Sequence, residues 1–294
     1  MASFLFILYF LSSLIPLVFG DINEHPDLYR IQLANFKDKR FFTGSIHKDF
    51  VLTEEGGCLD VLDQAVRNKQ GNCNVLDVGM NDGFYTQLAT TYGCHVWSFE
   101  LQSSCIALSR NATIANNASH LVNFIHAPAS ARNGEPLKVP HGTEEDGKRC
   151  DGGFSIAGGD ANLRAHKPYS IRGYHILHTI RLDSFVPVDT KIDFLKVDVE
   201  GHDPEVLEGA ELLFKEKRIQ FAVVEVFVDF WSVPQEEAFL VYERIYNYGY
   251  QPICVTERKG NIYYEVVAKN ITFAQFRRYA TDKICINWEF HPRS

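Results

Sequence analysis

Residues 75–86 read VLDVGMNDGFYT, a strand, a turn and the start of a helix in one run. Val75, Leu76 and Val78 give a short, nearly continuous apolar strand, and Gly79 closes it. After Gly83, the positions Phe84, Leu88, Ala89 and Tyr92 fall on one face of a helix that Gly93 stops. A strand passing through a glycine turn into a helix is the first half of a βαβ unit. Outward from it the same pattern repeats. Runs at 74–79, 95–100, 121–126, 192–197 and 221–227 are each short and apolar, as expected of parallel strands covered by helices on both faces.

The intervening helices carry their own punctuation. Asp203 is expected to N-cap a helix with Pro204 at its first position; Val206, Leu207, Ala210, Leu213 and Phe214 form its buried face, and Lys215, Lys217 and Arg218 sit at its negative end. A helix over 235–248 ends at Gly249. The chain then reads strand, Lys259-Gly260-Asn261 turn, strand over 250–268. Upstream, Leu59, Asp60, Leu62, Ala65 and Val66 fit one amphipathic helix. This reading divides the chain into 1–20, a helical N-terminal extension at 21–73, an α/β domain at 74–269 and a C-terminal extension at 270–294. Between the third and fourth strands, 131–174 carries eight glycines, and a loop of that length is either a functional lid or a disordered insertion.

Composition narrows the class. With 46% hydrophobic and 22% charged residues among 294, the chain can bury a full core. A net charge of −8 and the lack of any dense Lys/Arg run argue against a nucleic-acid partner. The apolar run from Phe4 to Phe19, broken by Pro16 and followed by Gly20 and acidic residues, reads as a signal peptide over residues 1–20; the competing reading is an uncleaved membrane anchor. Sequons at Asn111, Asn117 and Asn270 and seven cysteines, none in Cys-x-x-Cys spacing, agree with a secreted or secretory-lumen glycoprotein holding up to three disulfides.

The chemistry gathers at strand ends, where open α/β sheets bind ligands. Gly79 lets a ligand approach the backbone, Asp77 lies beside it, and Gly79-x-x-x-Gly83 departs from the dinucleotide fingerprint, which argues against a nicotinamide oxidoreductase. Glu100 ends the second strand and can accept hydrogen bonds from both ribose hydroxyls of an adenosine. In 194–210, FLKVDVEGHDPEVLEGA, the groups Lys196, Asp198, Glu200 and His202 crowd the end of one apolar strand. Carboxylates this close are expected to have perturbed pKa values, and Lys196 is expected to neutralise one of them. Asp198, Glu200, His202 and Asp203 could in principle ligate a metal, but strand ending and helix capping already claim several of them, and no metal is assigned.

The runs DVGMNDGFYT, LDSF, DFLKVDVEGHDPEVLEGA and VVEVF, spread over about 74–269, resemble the ordered motifs of FkbM-type methyltransferases. The resemblance implies a Rossmann-like class I methyltransferase fold, a mostly parallel sheet with an antiparallel C-terminal hairpin. It further implies S-adenosyl-L-methionine as methyl donor and O-methyl transfer to a hydroxyl-bearing small molecule or glycan. By position, Asp77, Gly79, Asn81 and Gly83 should line the methionine end of the cofactor, Glu100 the ribose and Ala127 the adenine. Asp198, then Glu200, then His202 are the expected bases. Met80 and Leu101 depart from the family pattern without removing a contacting group. The rival reading is a secreted, non-catalytic glycoprotein that keeps the fold as a binding module.

Overall fold

The computed structural model describes residues 31–44, 55–141, 150, 173–259, 262–265 and 271–293; the expected signal peptide lies outside them, as does most of the glycine-rich segment. The described chain opens with an antiparallel hairpin, β1 (Ile31–Phe36) and β2 (Lys39–Gly44), then α1 (Gly56–Val66). Next come β3 (Asn74–Val78), α2 (Phe84–Thr91), β4 (His95–Phe99), α3 (Ser103–Ala115) and β5 (Val122–Ile125). A second hairpin, β6 (Pro136–His141) with β7 (Gly173–His178), brackets the insertion. The chain continues through α4 (Leu182–Phe185), β8 (Ile192–Val197), α5 (Asp203–Gly209), α6 (Glu211–Lys215), β9 (Ile219–Glu225) and α7 (Gln235–Asn247). It ends with β10 (Tyr250–Lys259), β11 (Ile262–Glu265), α8 (Phe273–Thr281) and β12 (Cys285–Pro292).

One sheet organises the molecule, in the order β11-β10-β12-β9-β8-β3-β4-β5. β9, β8, β3, β4 and β5 are parallel, and β12, β10 and β11 continue antiparallel. Because β3 leads outward to β4 and β5 while β8 and β9 lie on its other side, the strand order reverses at β3/β8. A crevice opens there at the carboxyl ends. The alternation of strand side chains builds two cores. Leu195 and Val197 of β8 face Leu207, Phe214, Tyr242 and Trp288, whereas Phe194, just before them, faces α1 and α2 through Leu59, Leu62 and Leu88.

Three expectations change. The 21–73 extension is not purely helical: β1 and β2 precede α1, with no glycine at the Lys37-Asp38 turn to announce the hairpin. β2 packs on the following domain, Phe41 meeting the Phe84 ring edge-on at 5.3 Å and Asn116 bridging the backbone of Phe42. At the other end, β12 is no appendage but inserts between β9 and β10, burying Ile286, Trp288 and Phe290. Asp203 is the first residue of α5 rather than its cap: its carboxylate turns back to accept the N–H groups of Val199 and Gly201, both at 3.0 Å.

Among the described residues the cysteines form three disulfides, Cys73–Cys94, Cys105–Cys150 and Cys254–Cys285. The first ties the approach to β3 to that of β4, the second anchors position 150 of the insertion to α3, and the third staples β10 to β12. Such cross-links are compatible with an extracellular or secretory location. No described helix is long and apolar enough to cross a membrane.

Candidate active site

The turn after β3 can form only with glycine at position 79. Gly79 has φ +78°, and a Cβ there would fall 1.8 Å from the carbonyl oxygen of Asp198. The ends of β3 and β8 therefore meet at backbone distance. Gly79 and Met80 both donate their N–H groups to the Phe99 carbonyl, and Asn81, at φ +53°, donates its own to Glu100 Oε2 at 2.8 Å. Glu100 Oε1 accepts from the N–H groups of Leu101 and Gln102, each at 2.8 Å. One buried carboxylate thus fixes both turns and keeps one lone pair, on Oε2, for a ligand. Burial pushes its pKa up, while the three N–H donors and Lys196 pull against that.

An open cleft lies over these turns, and Gly79, Asn81, Glu100, Ala127, Asp198, Glu200 and His202 all line it. Seven of the nine residues named from sequence are brought together. Asp77 and Gly83 are not among the lining residues. Asp77 is fully buried, its Oδ2 accepting the Thr86 hydroxyl at 2.6 Å, and its Oδ1 has no partner among the described residues. Gly83, at φ +90°, caps α2 and packs so closely on Ser109 that a Cβ would sit 2.1 Å from Oγ. Both shape the turn that carries Gly79 and Asn81.

Lys196 is the cation of the site. Buried at the end of β8, its Nζ lies 3.1 Å from Asp198 Oδ2 and 3.1 Å from the Gly79 carbonyl, 5.2 Å from the Tyr85 ring centroid. Burial works to lower its pKa, but Asp198, Asp77 and Glu55 outweigh that and raise it. Glu55 was not legible as a site residue. It precedes α1, takes the Tyr85 hydroxyl at 2.6 Å, and is pushed up to about 7 by burial, against the pull of Lys196 and with added repulsion from Asp198. Burial likewise pushes Glu225, at the end of β9, well up, with repulsion from Asp198 and Glu200 behind it.

His202 lies in the turn before α5 but is largely buried. Its side chain is 13% exposed, with Nε2 3.1 Å from Ser130 Oγ and Nδ1 3.2 Å from Glu205 Oε1 and 3.3 Å from Ser232 Oγ. Ser130 and Ser232 come from segments remote from His202 and carry no motif, so sequence reasoning had no signal for them; Glu205 stands three residues on, within the 194–210 run, but was not singled out. Among the described residues no group of three or more His, Cys, Asp or Glu side chains is arranged to hold a metal ion.

A glycine turn, an acidic second-strand end and a charged fourth parallel strand around one cleft define a class I methyltransferase. The methyltransferase FkbM domain profile matches residues 77–252, and the chain belongs to that family. Family and fold imply S-adenosylmethionine as the methyl donor. Solved structures similar to the chain include a methyltransferase FkbM from Methylobacillus flagellatus KT, 12% identical with a TM-score of 0.41, covering 74% of this chain and 43% of that one. A human methyltransferase 10 domain containing protein is 10% identical, TM-score 0.38, with 80% of each chain covered. Precorrin-6y C5,15-methyltransferase from Geobacter metallireducens GS-15 is 10% identical, TM-score 0.37, covering 81% of this chain and 88% of that one. This chain thus spans under half the length of the first of these. A comparison with curated protein sequences found no match.

Proposed function

We propose that the protein is an S-adenosylmethionine-dependent O-methyltransferase acting on a hydroxyl of a glycan or small molecule in the secretory pathway. The observation that carries the reading is the convergence of Gly79, Asn81, Glu100 and Asp198 on one cleft at the β3/β8 crevice. These residues fit the cofactor. Gly79 and Asn81 present the turn after β3 to the cleft, and Glu100 Oε2 keeps acceptor capacity for a ribose hydroxyl. The surplus of carboxylates over Lys196 suits a cationic sulfonium. When bound, the sulfonium supplies an activated methyl group.

What remains for the protein is alignment, exclusion of water and removal of a proton. Alignment alone is worth roughly 7–11 kcal/mol of barrier in well-oriented systems. An alcohol needs a base at or before transfer. Asp198 is the first candidate: Lys196 orients one carboxylate oxygen, and the side chain stays 29% exposed beside the cleft. Glu200, at φ +55° in the same lip, is the second. The three disulfides and the N-terminal apolar run support export, with cleavage after Gly20. N-terminal sequencing of protein from a eukaryotic secretion host tests that point; an intact Met1 in a membrane fraction would favour an anchor.

The activity is tested with methyl-labelled donor and a panel of hydroxylated glycans and small molecules. The expected product is an alkali-stable methyl ether. Label appearing only in amines or carboxylates contradicts O-transfer, and tight cofactor binding with no turnover across the panel favours a binding module.

A further inference from the structure

His202 stands third among the bases expected from sequence, and the structure assigns it another role. We infer that His202, held by Ser130, Ser232 and Glu205, walls the nucleoside half of the cofactor cleft and takes no proton from the acceptor. This rests on the reading of the cleft as an S-adenosylmethionine site.

Position comes first. In the sheet, β8 and β5 are separated by β3 and β4, so a side chain beyond β8 can touch the segment beyond β5 only where both turn over the same face. They do so here. Ser130 is held by its N–H on the Ile180 carbonyl at 3.0 Å. α5 is seated against it through Gly209, where a Cβ would fall 2.1 Å from the Ser130 carbonyl oxygen. The Nε2–Ser130 contact then joins 199–202 to 127–130 as one lip. That lip lines the same cleft as Glu100 and Leu101 and includes Ala127, whereas the Asp198 carboxylate is tied to Lys196.

The protons around the ring agree with that position. The one Ser232 proton goes to Glu205 Oε1, by the shorter of its contacts, with the Gly201 carbonyl at 3.3 Å as the alternative. Neither leaves a proton for Nδ1, so Nδ1 is the donor to Glu205 and Ser232, and in the neutral ring Nε2 receives the Ser130 hydroxyl. Glu205 is well suited as the acceptor. Burial acts to raise its pKa, but the bonds from His202 and Ser232 prevail and hold it below the usual range. Both ring nitrogens are thus committed to protein. Accepting a proton at Nε2 would require the Ser130 hydroxyl to turn from donor to acceptor. What His202 offers a ligand is an apolar ring, suited to a purine.

The turn beneath the ring is rigid. Gly201 has φ +99°, and a Cβ there would fall 1.9 Å from the Phe230 carbonyl oxygen; the Gly201 carbonyl accepts the Ser232 N–H at 2.9 Å. The ring is therefore presented by a segment that cannot easily move.

Calorimetry on the full secreted protein tests this with S-adenosylhomocysteine and with 5′-methylthioadenosine, which keeps the nucleoside and lacks the amino acid. His202→Ala should weaken both by the same factor, roughly 3–10-fold, the scale of one ring-stacking contact. If the alanine variant does not fold, Ser130→Ala, which cuts only the Nε2 contact, should weaken both in parallel by a smaller factor. Unchanged affinity for methylthioadenosine overturns the inference, whether or not S-adenosylhomocysteine binding falls. Wild-type protein that binds neither ligand overturns the cofactor reading itself and this inference with it, a result distinct from a variant that matches a binding wild type.

Discussion

Two buried carboxylates, Asp63 in the N-terminal layer and Asp77 under the cleft, are treated in opposite ways. Asp63 accepts from Lys37 at 2.8 Å, from Arg67 at 2.9 and 3.0 Å, and from the Tyr92 hydroxyl, so that although burial acts to raise its pKa, these donors hold it down at about 2. Asp77 has one hydroxyl donor and an oxygen with no partner among the described residues, and burial pushes its pKa up. Around it, Glu55 and Asp198 share the single ammonium of Lys196. Where the chain needs only stability, charge is fully met. Along the carboxyl edge of the sheet charge is left in surplus, a pattern typical of sites that a ligand completes.

The largest break in that contrast should come at Asp198. Asp198→Asn keeps the size of the side chain but cannot take a proton, so methyl transfer should fall by roughly 10²–10⁴-fold while cofactor affinity stays nearly intact. Loss of turnover that merely follows loss of affinity would make Asp198 a binding residue and move the base to Glu200. Next in size is Lys196→Met, which strips the edge of its cation and should destabilise the protein by about 3–5 kcal/mol, the cost of leaving buried charges unpaired. A denaturant midpoint equal to wild type would show that the carboxylates are neutral without it.

Smaller effects separate the two regions by pH. The folded pKa of Asp63 lies below its unfolded value, so its stabilisation is present above about pH 4 and is lost as pH falls towards 2. Asp63→Asn should therefore cost on the order of 1–2 kcal/mol at pH 7 and flatten the acid limb of the stability curve. Glu55 has the reverse sign. Its folded pKa of about 7 lies above the unfolded value near 4.5, so stability declines as pH rises through that window. Glu55→Gln should raise the melting temperature at pH 8 and leave it nearly unchanged at pH 4, with a gain of about 1 kcal/mol after allowing for partial exposure. A matching shift at both pH values would show that Glu55 does not titrate in this range.

Much of this was readable because parallel strands and their glycine turns announce themselves locally. The five parallel strands, the Gly79 turn, and the placement of Glu100 and Asp198 at strand ends follow from apolar runs and spacing alone. The β1/β2 hairpin was not legible, since its Lys37-Asp38 turn lacks the residues that usually mark one. Nor was the insertion of β12 between β9 and β10, a long-range pairing that no local pattern specifies. At the site, Asp77 and Gly83 carry the motif but serve the turn beneath the cleft. Glu55, Ser130 and Ser232 reach the charged edge or His202 from segments remote in sequence, and only the folded chain brings them there, whereas Glu205 lies three residues from His202 within the motif run.

The central claim is that Glu100, fixed by three backbone N–H groups at the end of β4, holds the ribose of S-adenosylmethionine in this cleft. Titration calorimetry of wild type and a folded Glu100→Ala variant with S-adenosylmethionine tests it most directly. One-to-one binding by the wild type, weakened in the variant by about 1.5–3 kcal/mol, is the expected result. Equal affinity in the two proteins, or no binding by the wild type, would contradict it.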